Sequence, residues 1–214
     1  MTAATGRYAG LSADERRRER RRRLLEAAGE LIAEQGPAGL KVRVLCARAG
    51  LNDRYFYESF GDTDQLLREL LDEQLAAITA EMLEPLAATP SDTRLRVRAV
   101  METVVAIVAD NPLRRRLFLE LQTTAELRCR RSELVNTAAA VMLDQGRELL
   151  GETAASGLYA ELAARTVSFG GLEILTEWLR GDLEIERAQL IDFMCAMILT
   201  AGEITGTVQR EMIG

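Results

Sequence analysis

Lys41-Val-Arg-Val-Leu-Cys-Ala-Arg-Ala-Gly50-Leu-Asn-Asp-Arg-Tyr-Phe-Tyr-Glu-Ser-Phe60 is the stretch whose reading decides the fold of this chain. It holds two very short helices, about Val42 to Arg48 and Asp53 to Ser59. Gly50 makes a tight turn between them, and Asn52 is of the type that caps a helix start. Val42, Leu45, Cys46, Ala49, Leu51, Phe56 and Phe60 are placed to pack the pair against a third helix. That helix lies upstream, from Asp14 to Gln35, where Leu24, Leu25, Ala28, Leu31 and Ile32 recur at helical spacing before Gly36-Pro37 ends it. Short helices joined by a glycine turn make the helix-turn-helix pattern. The helix from Asp53 to Ser59, third in chain order, would be the reading element, with Asp53, Arg54, Tyr55 and Glu58 outward and Tyr57 close behind.

Downstream the helical pattern continues. Asp62 with Gln65 forms a capping-box pattern for a fourth helix that carries Leu66, Leu67, Leu70, Leu71, Leu75 and Ile78 and ends near Pro85. A connector follows at 88–91. Five more helices are predicted: about 92–109, a short one from Asn111-Pro112 to about Thr123, then 125–150, 158–180 and 186–212. Gly151 and Gly181 act as stops. No segment alternates with period two for long enough to make a strand. The expected fold is all-α with about nine helices: a three-helix head over residues 1–62 and a helical body over 63–214.

Composition narrows the chemistry. The 214 residues include no histidine, which excludes Ser-His-Asp and Cys-His nucleophile systems and histidine zinc sites. Lys41 is the sole lysine, and no glycine-rich phosphate loop occurs. Neither a catalytic group nor a cofactor nor a metal is expected. The three cysteines, Cys46, Cys129 and Cys195, are scattered and odd in number, which argues against a disulfide framework. No bilayer-spanning stretch or signal-peptide core is visible, so the expectation is a cytoplasmic protein without a membrane partner. The net charge of −6 is unevenly spread: residues 1–62 carry 12 Lys and Arg against 9 Asp and Glu, and the rest is acidic. A basic head on an acidic body suggests that the head meets a polyanion.

Over Lys41 to Leu67 the sequence resembles the tetracycline-repressor (TetR) family of regulators. Val42, Arg43, Ala49, Gly50, Tyr57, Phe60 and Leu66 match the family pattern identically, and Leu45, Leu51, Asn52, Phe56 and Asp64 match in kind, without a gap. The departures are Lys41 in place of a threonine cap, Arg54-Tyr55 in place of Gly-Thr, and Thr63 in place of a lysine that touches phosphate. The resemblance implies a DNA-binding domain over 1–62 and an effector-binding and dimerisation domain over 63–214. The implied function is a repressor, released from a palindromic double-stranded operator by a small, mostly apolar ligand. The alternative is a helical enzyme or adaptor that uses the body without DNA regulation.

Candidate residues follow. DNA contacts are expected from Lys41, Arg43, Asn52, Asp53, Arg54, Tyr55, Tyr57 and Thr63. The run Arg16-Arg-Arg-Glu-Arg-Arg-Arg-Arg23 could track phosphates or pair with neighbouring glutamates. The resemblance puts a ligand pocket within helices five to eight, where Met101, Val105, Phe118, Leu121, Gln122, Met142, Phe169 and Trp178 are compatible linings, though each could equally fill a core. Glu173 could be a buried pocket carboxylate, or else a residue at the edge of an interface or paired to Arg165. Leu190, Met194, Met197, Ala201, Ile204 and Val208 step along one face of the last helix as a seam, and Gly170 and Gly171 would allow close approach. A homodimer joined there is what the resemblance implies.

Overall fold

The computed structural model describes residues 12–89, 92–121, 125–150 and 157–213, and within these the side chains of 85–87, 125–126, 149–150, 204 and 206–213 are left aside. The described residues form helices α1 (Ala13–Gln35), α2 (Val42–Ala49), α3 (Asp53–Ser59), α4 (Thr63–Ala88), α5 (Thr93–Ala109), α6 (Pro112–Leu119), α7 (Ala125–Leu150), α8 (Leu158–Arg180) and α9 (Arg187–Ile213), with a single 3-10 turn at Pro37–Gly39. The fold is all-α, and none of the described helices is long and apolar enough to cross a membrane.

Local chemistry explains the boundaries. Ser12 starts α1 through a capping box: its hydroxyl accepts from the Glu15 N–H at 3.1 Å, and its own N–H donates to Glu15 Oε2 at 2.6 Å. Asn52 caps α3 by accepting from the Tyr55 N–H at 3.3 Å. Asp62 caps α4 through the Gln65 N–H at 2.7 Å, while Gln65 Oε1 accepts from the Gly61 N–H at 2.8 Å. Asp92 and Asn111 do the same for α5 and α6, each accepting from the N–H three residues on, at 2.9 and 3.0 Å. Two boundaries differ from the sequence expectation. Helix α4 runs through Pro85 to Ala88, and the proline, which has no N–H to donate, takes one bond out of its hydrogen-bond ladder. Helix α6 stops at Leu119, where the N–H groups of Glu120 and Leu121 tighten onto carbonyls three residues back.

The chain divides into two compact units, Met1–Glu73 and Gln74–Gly214, with the division inside α4. In the first, Leu24, Ala28, Leu31, Ile32, Leu45, Phe56, Phe60 and Leu66 are buried. Phe56 anchors α3: its ring lies 5.9 Å from Phe60 and meets Tyr57 edge-on at 5.2 Å. In the second, Val105, Ile107 and Val108 of α5 pack with Leu175 and Leu179 of α8 and Leu190, Ile191 and Cys195 of α9. Helix α7 packs along α8, and each contributes buried residues, Leu127, Val135 and Ala139 from one and Ala160 and Ala164 from the other.

This packing corrects several sequence expectations. Leu190, placed at an interface between copies, is wholly buried in the body's own core, and Met194 packs against that core. Val105, placed in a pocket, is likewise a core residue, with Met101, Phe118 and Trp178 packed on the same cluster. Leu121 is buried, Met142 half-buried on α7, and Phe169 is 44% exposed on α8. Glu173 is not a buried pocket acid: its carboxylate pairs with Arg131, not with Arg165, which instead donates to Asn136 at 3.2 Å. The reason is common to all. An apolar residue at helical spacing signals burial, and burial does not distinguish core from pocket or seam. Gln122 and the side chains of Ile204 and Val208 lie outside the described residues.

Gly50 closes α2 at φ +64°, a left-handed conformation, and a Cβ built there would stand 2.9 Å from Arg23 Nη2. Gly50→Ala is therefore expected to destabilise the head by about 1–2 kcal/mol, read as a lower urea midpoint with an unchanged slope.

Candidate nucleic-acid interface

Helix α3 has only seven residues, Asp53–Ser59. A helix so short does not persist alone in water. Phe56 ties its inner side down, and α1 ties its far end. Arg17 Nη2 donates to the Glu58 carbonyl at 3.2 Å, and Arg21 Nη1 donates to the Ser59 carbonyl at 2.6 Å. Arg23 Nη2 donates to the Ala49 carbonyl, at the end of α2. Three guanidiniums of one helix thus satisfy the open carbonyl ends of the two that follow, where a cation also meets the negative end of each helix dipole. Arg21 does more than donate: it pairs with Glu69 of α4 and its guanidinium carbon lies 4.3 Å from the Phe60 ring centroid.

The arginine run is therefore engaged inward to a large extent. Arg22 pairs with Glu19 and Glu26 on its own helix, as sequence spacing allowed. Arg20 lies over the Tyr55 ring at 4.6 Å and reaches Glu58 at 3.9 Å. The capping role of Arg17, Arg21 and Arg23 was missed in the sequence, although the four-residue spacing of Arg17 and Arg21 does put them on one face.

What α2 and α3 leave outward is a compact polar surface. The Arg54 side chain is 82% exposed and donates from Nε to Glu58 Oε1 at 2.8 Å. Tyr57 is 63% exposed. Lys41, Arg43, Asn52 and Asp53 are exposed, Tyr55 and Thr63 half-buried. Asn52 uses its side-chain oxygen on the α3 cap. Arg48 is drawn away to α1, with two hydrogen bonds to Glu34 at 2.6 and 2.8 Å, and it holds the Glu34 carboxyl below the usual range. Burial, with Asp53 adding to it, pushes the Cys46 thiol up to about 11, so this cysteine is a packing residue and not a ready nucleophile. Of the expected DNA-contact residues, Lys41, Arg43, Asn52, Asp53, Arg54 and Tyr57 are thus exposed, while Tyr55 and Thr63, the latter at the start of α4, are half-buried.

Residues 24–70 match a family model described as bacterial regulatory proteins, tetR family. An HTH-type transcriptional repressor of Mycobacterium tuberculosis is 41% identical over 49 residues, which are 23% of this chain and 26% of that relative. The chain thus spans about a quarter of the length of the curated relative that it matches. Likeness to solved structures reaches further along the chain. A tetR-family transcriptional regulator from Streptomyces coelicolor superimposes with a TM-score of 0.72 at 16% identity, covering 91% of this chain and 85% of that one. The fatty acid degradation regulator FadR from Bacillus halodurans gives 0.67 at 20% identity, covering 83% and 97%. AibR, solved with isovaleryl coenzyme A and operator DNA, gives 0.58 at 18% identity, covering 83% and 97%.

A helix-turn-helix head followed by a body of long helices defines the class: an all-helical helix-turn-helix protein. Within that class, residues 24–70 match the N-terminal module of the TetR family, and the rest of the chain shares the fold of the solved TetR-family structures.

Arg21→Ala should lower head stability by about 1–2 kcal/mol, because it leaves the Ser59 carbonyl without its donor while Glu69 keeps its bond from Gln65. Arg18→Ala, at an exposed position of the same helix, should be neutral. Urea unfolding of the two variants side by side checks the difference.

Proposed function

We propose that this chain is a DNA-binding transcriptional regulator, acting as a homodimeric repressor that leaves a palindromic operator when a small ligand enters its body. The observation that carries the reading is the outward surface of α3, with Arg54 and Tyr57 well exposed on a helix whose inner face and far end are both fixed. A rigid short helix with its N-terminal residues outward is what a major groove admits. In this reading Arg54 and Asp53 meet base edges. Lys41, Arg43, Asn52, Tyr55, Tyr57 and Thr63 serve backbone contacts around them, which set register and carry no sequence information.

Arg54→Ala is expected to cost about 1–3 kcal/mol on a preferred duplex and to relax base choice at one position. Tyr57→Phe should weaken binding to all duplexes alike. Gel shifts across duplex variants check both, and unchanged preference in the alanine variant would remove Arg54 from the reading.

A second copy is the proposed occupant of the apolar surface that α8 and α9 leave outward. Leu158, Leu162 and Phe169 on α8 and Phe193 and Met197 on α9 are all more than a third exposed, and the two helices pack against each other. Phe193 and Met197, one helical turn apart, replace the inward-facing Leu190 and Met194 in the proposed seam. Gly170, where a Cβ would meet open space, and Ala201 remain compatible with close approach of a partner helix, whereas a Cβ on Gly171 would meet Met194 Cε of the same chain at 3.3 Å. Two such patches would be apposed by a two-fold axis, and the matching operator would carry two half-sites about 34–36 Å apart. Phe193→Arg should convert the dimer to a monomer in light scattering, with loss of operator affinity.

For the effector, the described residues form a cleft of about 600 Å³ between α4, α5 and the start of α6, lined by Glu81, Glu84, Ala88, Thr103, Ala106, Ile107, Asp110, Asn111 and Arg114. None of the lining expected from sequence is among these. Arg114 spans it, with two hydrogen bonds to Glu81, both at 2.7 Å, and one to Gln74 at 3.1 Å. The AibR complex, with both a thioester ligand and operator DNA, supports ligand control by analogy of fold. A ligand that binds one conformation better than the other must shift DNA affinity by that difference. Ligands with an apolar chain and a few hydrogen-bonding groups should raise the melting temperature and lower DNA affinity together. Ala106→Trp, which fills the cleft, should abolish both effects and leave ligand-free DNA binding intact. A screen in which no such compound shifts melting would confine the protein to ligand-independent regulation.

A further inference from the structure

The reading helix carries Asp53, Arg54 and Glu58, a net charge of −1 on a surface meant for a polyanion. Glu58 needs an account. Its carboxylate accepts from Arg54 Nε at 2.8 Å, and Arg20 of α1 stands 3.9 Å away on the other side. An exposed pair four residues apart is worth a few tenths of a kcal/mol at most, so stability gives little reason for it. Nor does the end of α3 depend on this side chain, since Arg17 bonds the Glu58 carbonyl and Arg21 the Ser59 carbonyl.

The geometry of the pair is more telling. Glu58 engages Arg54 through Nε, and among the described residues no partner takes the terminal nitrogens. The guanidinium is thereby held from behind with its two-pronged end outward on a side chain that is 82% exposed. Two parallel N–H groups at fixed spacing match the O6 and N7 acceptors of guanine. An unheld arginine would sample many rotamers and settle on phosphates, which need only charge.

We propose that Glu58 is a positioning and specificity-determining residue of the reading helix. It buttresses Arg54 end-on for a guanine edge, and its negative charge weakens attachment to DNA of any other sequence. Arg20 keeps the carboxylate partnered if Arg54 shifts toward a base. The inference rests on the DNA-binding reading above.

The test uses the full chain and two probes: duplexes that the wild-type chain enriches from a random-sequence pool, and the unselected pool. E58Q removes the charge while keeping an acceptor for Nε. It should bind the unselected pool about fivefold more tightly, the factor expected of one like charge in water near the backbone, with a steeper salt dependence. E58A removes the buttress too. Its preference for selected over unselected duplexes should fall about tenfold, and adding Arg54→Ala to it should cost little more, because the two residues act as one. Melting temperatures of both variants should match wild type, which separates positioning from folding. If both variants keep wild-type preference and wild-type affinity for the pool, the proposal is overturned while the DNA-binding reading stands. If the wild-type chain enriches no sequence and ignores DNA, both fall together.

Discussion

A seven-residue helix cannot hold itself together, and everything the head offers to a partner depends on how α3 is held. The answer is a set of charge-assisted hydrogen bonds from one long helix. Arg17 and Arg21 take the terminal carbonyls of α3, and Arg23 takes one at the end of α2. Guanidiniums suit the task because their planar forks can donate in two directions and stack on a ring as well. Arg21 does all three, toward the Ser59 carbonyl, Glu69 and the Phe60 ring. The far end of α3 is thus tied to α1, while Phe56 and Phe60 tie its inner side to the core beneath.

The body solves a different problem by more ordinary means. Its long helices bury an aliphatic cluster drawn from α5, α8 and α9, and surface ion pairs tie helices together around it. Arg187 of α9 forms a two-pronged pair with Asp110 at the end of α5, at 2.9 and 3.0 Å, and Arg98 of α5 meets Asp192 of α9 at 2.7 Å. Arg114 links α6 to α4 in the same way, and its charge holds the Glu81 carboxyl below the usual range.

Helix boundaries were legible in the sequence because punctuation residues act locally. Gly36-Pro37, Gly50, Asn52 and Gly181 each do in the structure what their chemistry requires. The outward positions of Asp53, Arg54 and Glu58 on α3 were legible for the same reason, whereas Tyr55, also expected outward, is half-buried under Arg20. Functions that depend on partners across space were not. An arginine run reads the same whether it faces phosphates or the carbonyls of a neighbouring helix. Helix α9 is apolar around much of its circumference, with Leu190 and Ile191 buried and Phe193 and Met197 exposed, so periodicity alone could not say which stripe faces inward. Val105, Met101 and Trp178 read as plausible pocket linings from spacing alone; Val105 lies in the core, and Met101 and Trp178 are half-buried against it.

Cys46 and the arginine frame together set what kinds of signal the head can hear. A thiol pushed up to about 11 carries almost no thiolate in a living cell, and guanidiniums stay charged at any acidity a cell survives. The chain has no histidine to change charge near neutrality. Mild acid or mild oxidant therefore finds no switch among these groups. The two compact units meet in sequence inside α4, and it is there that the chain passes from one to the other.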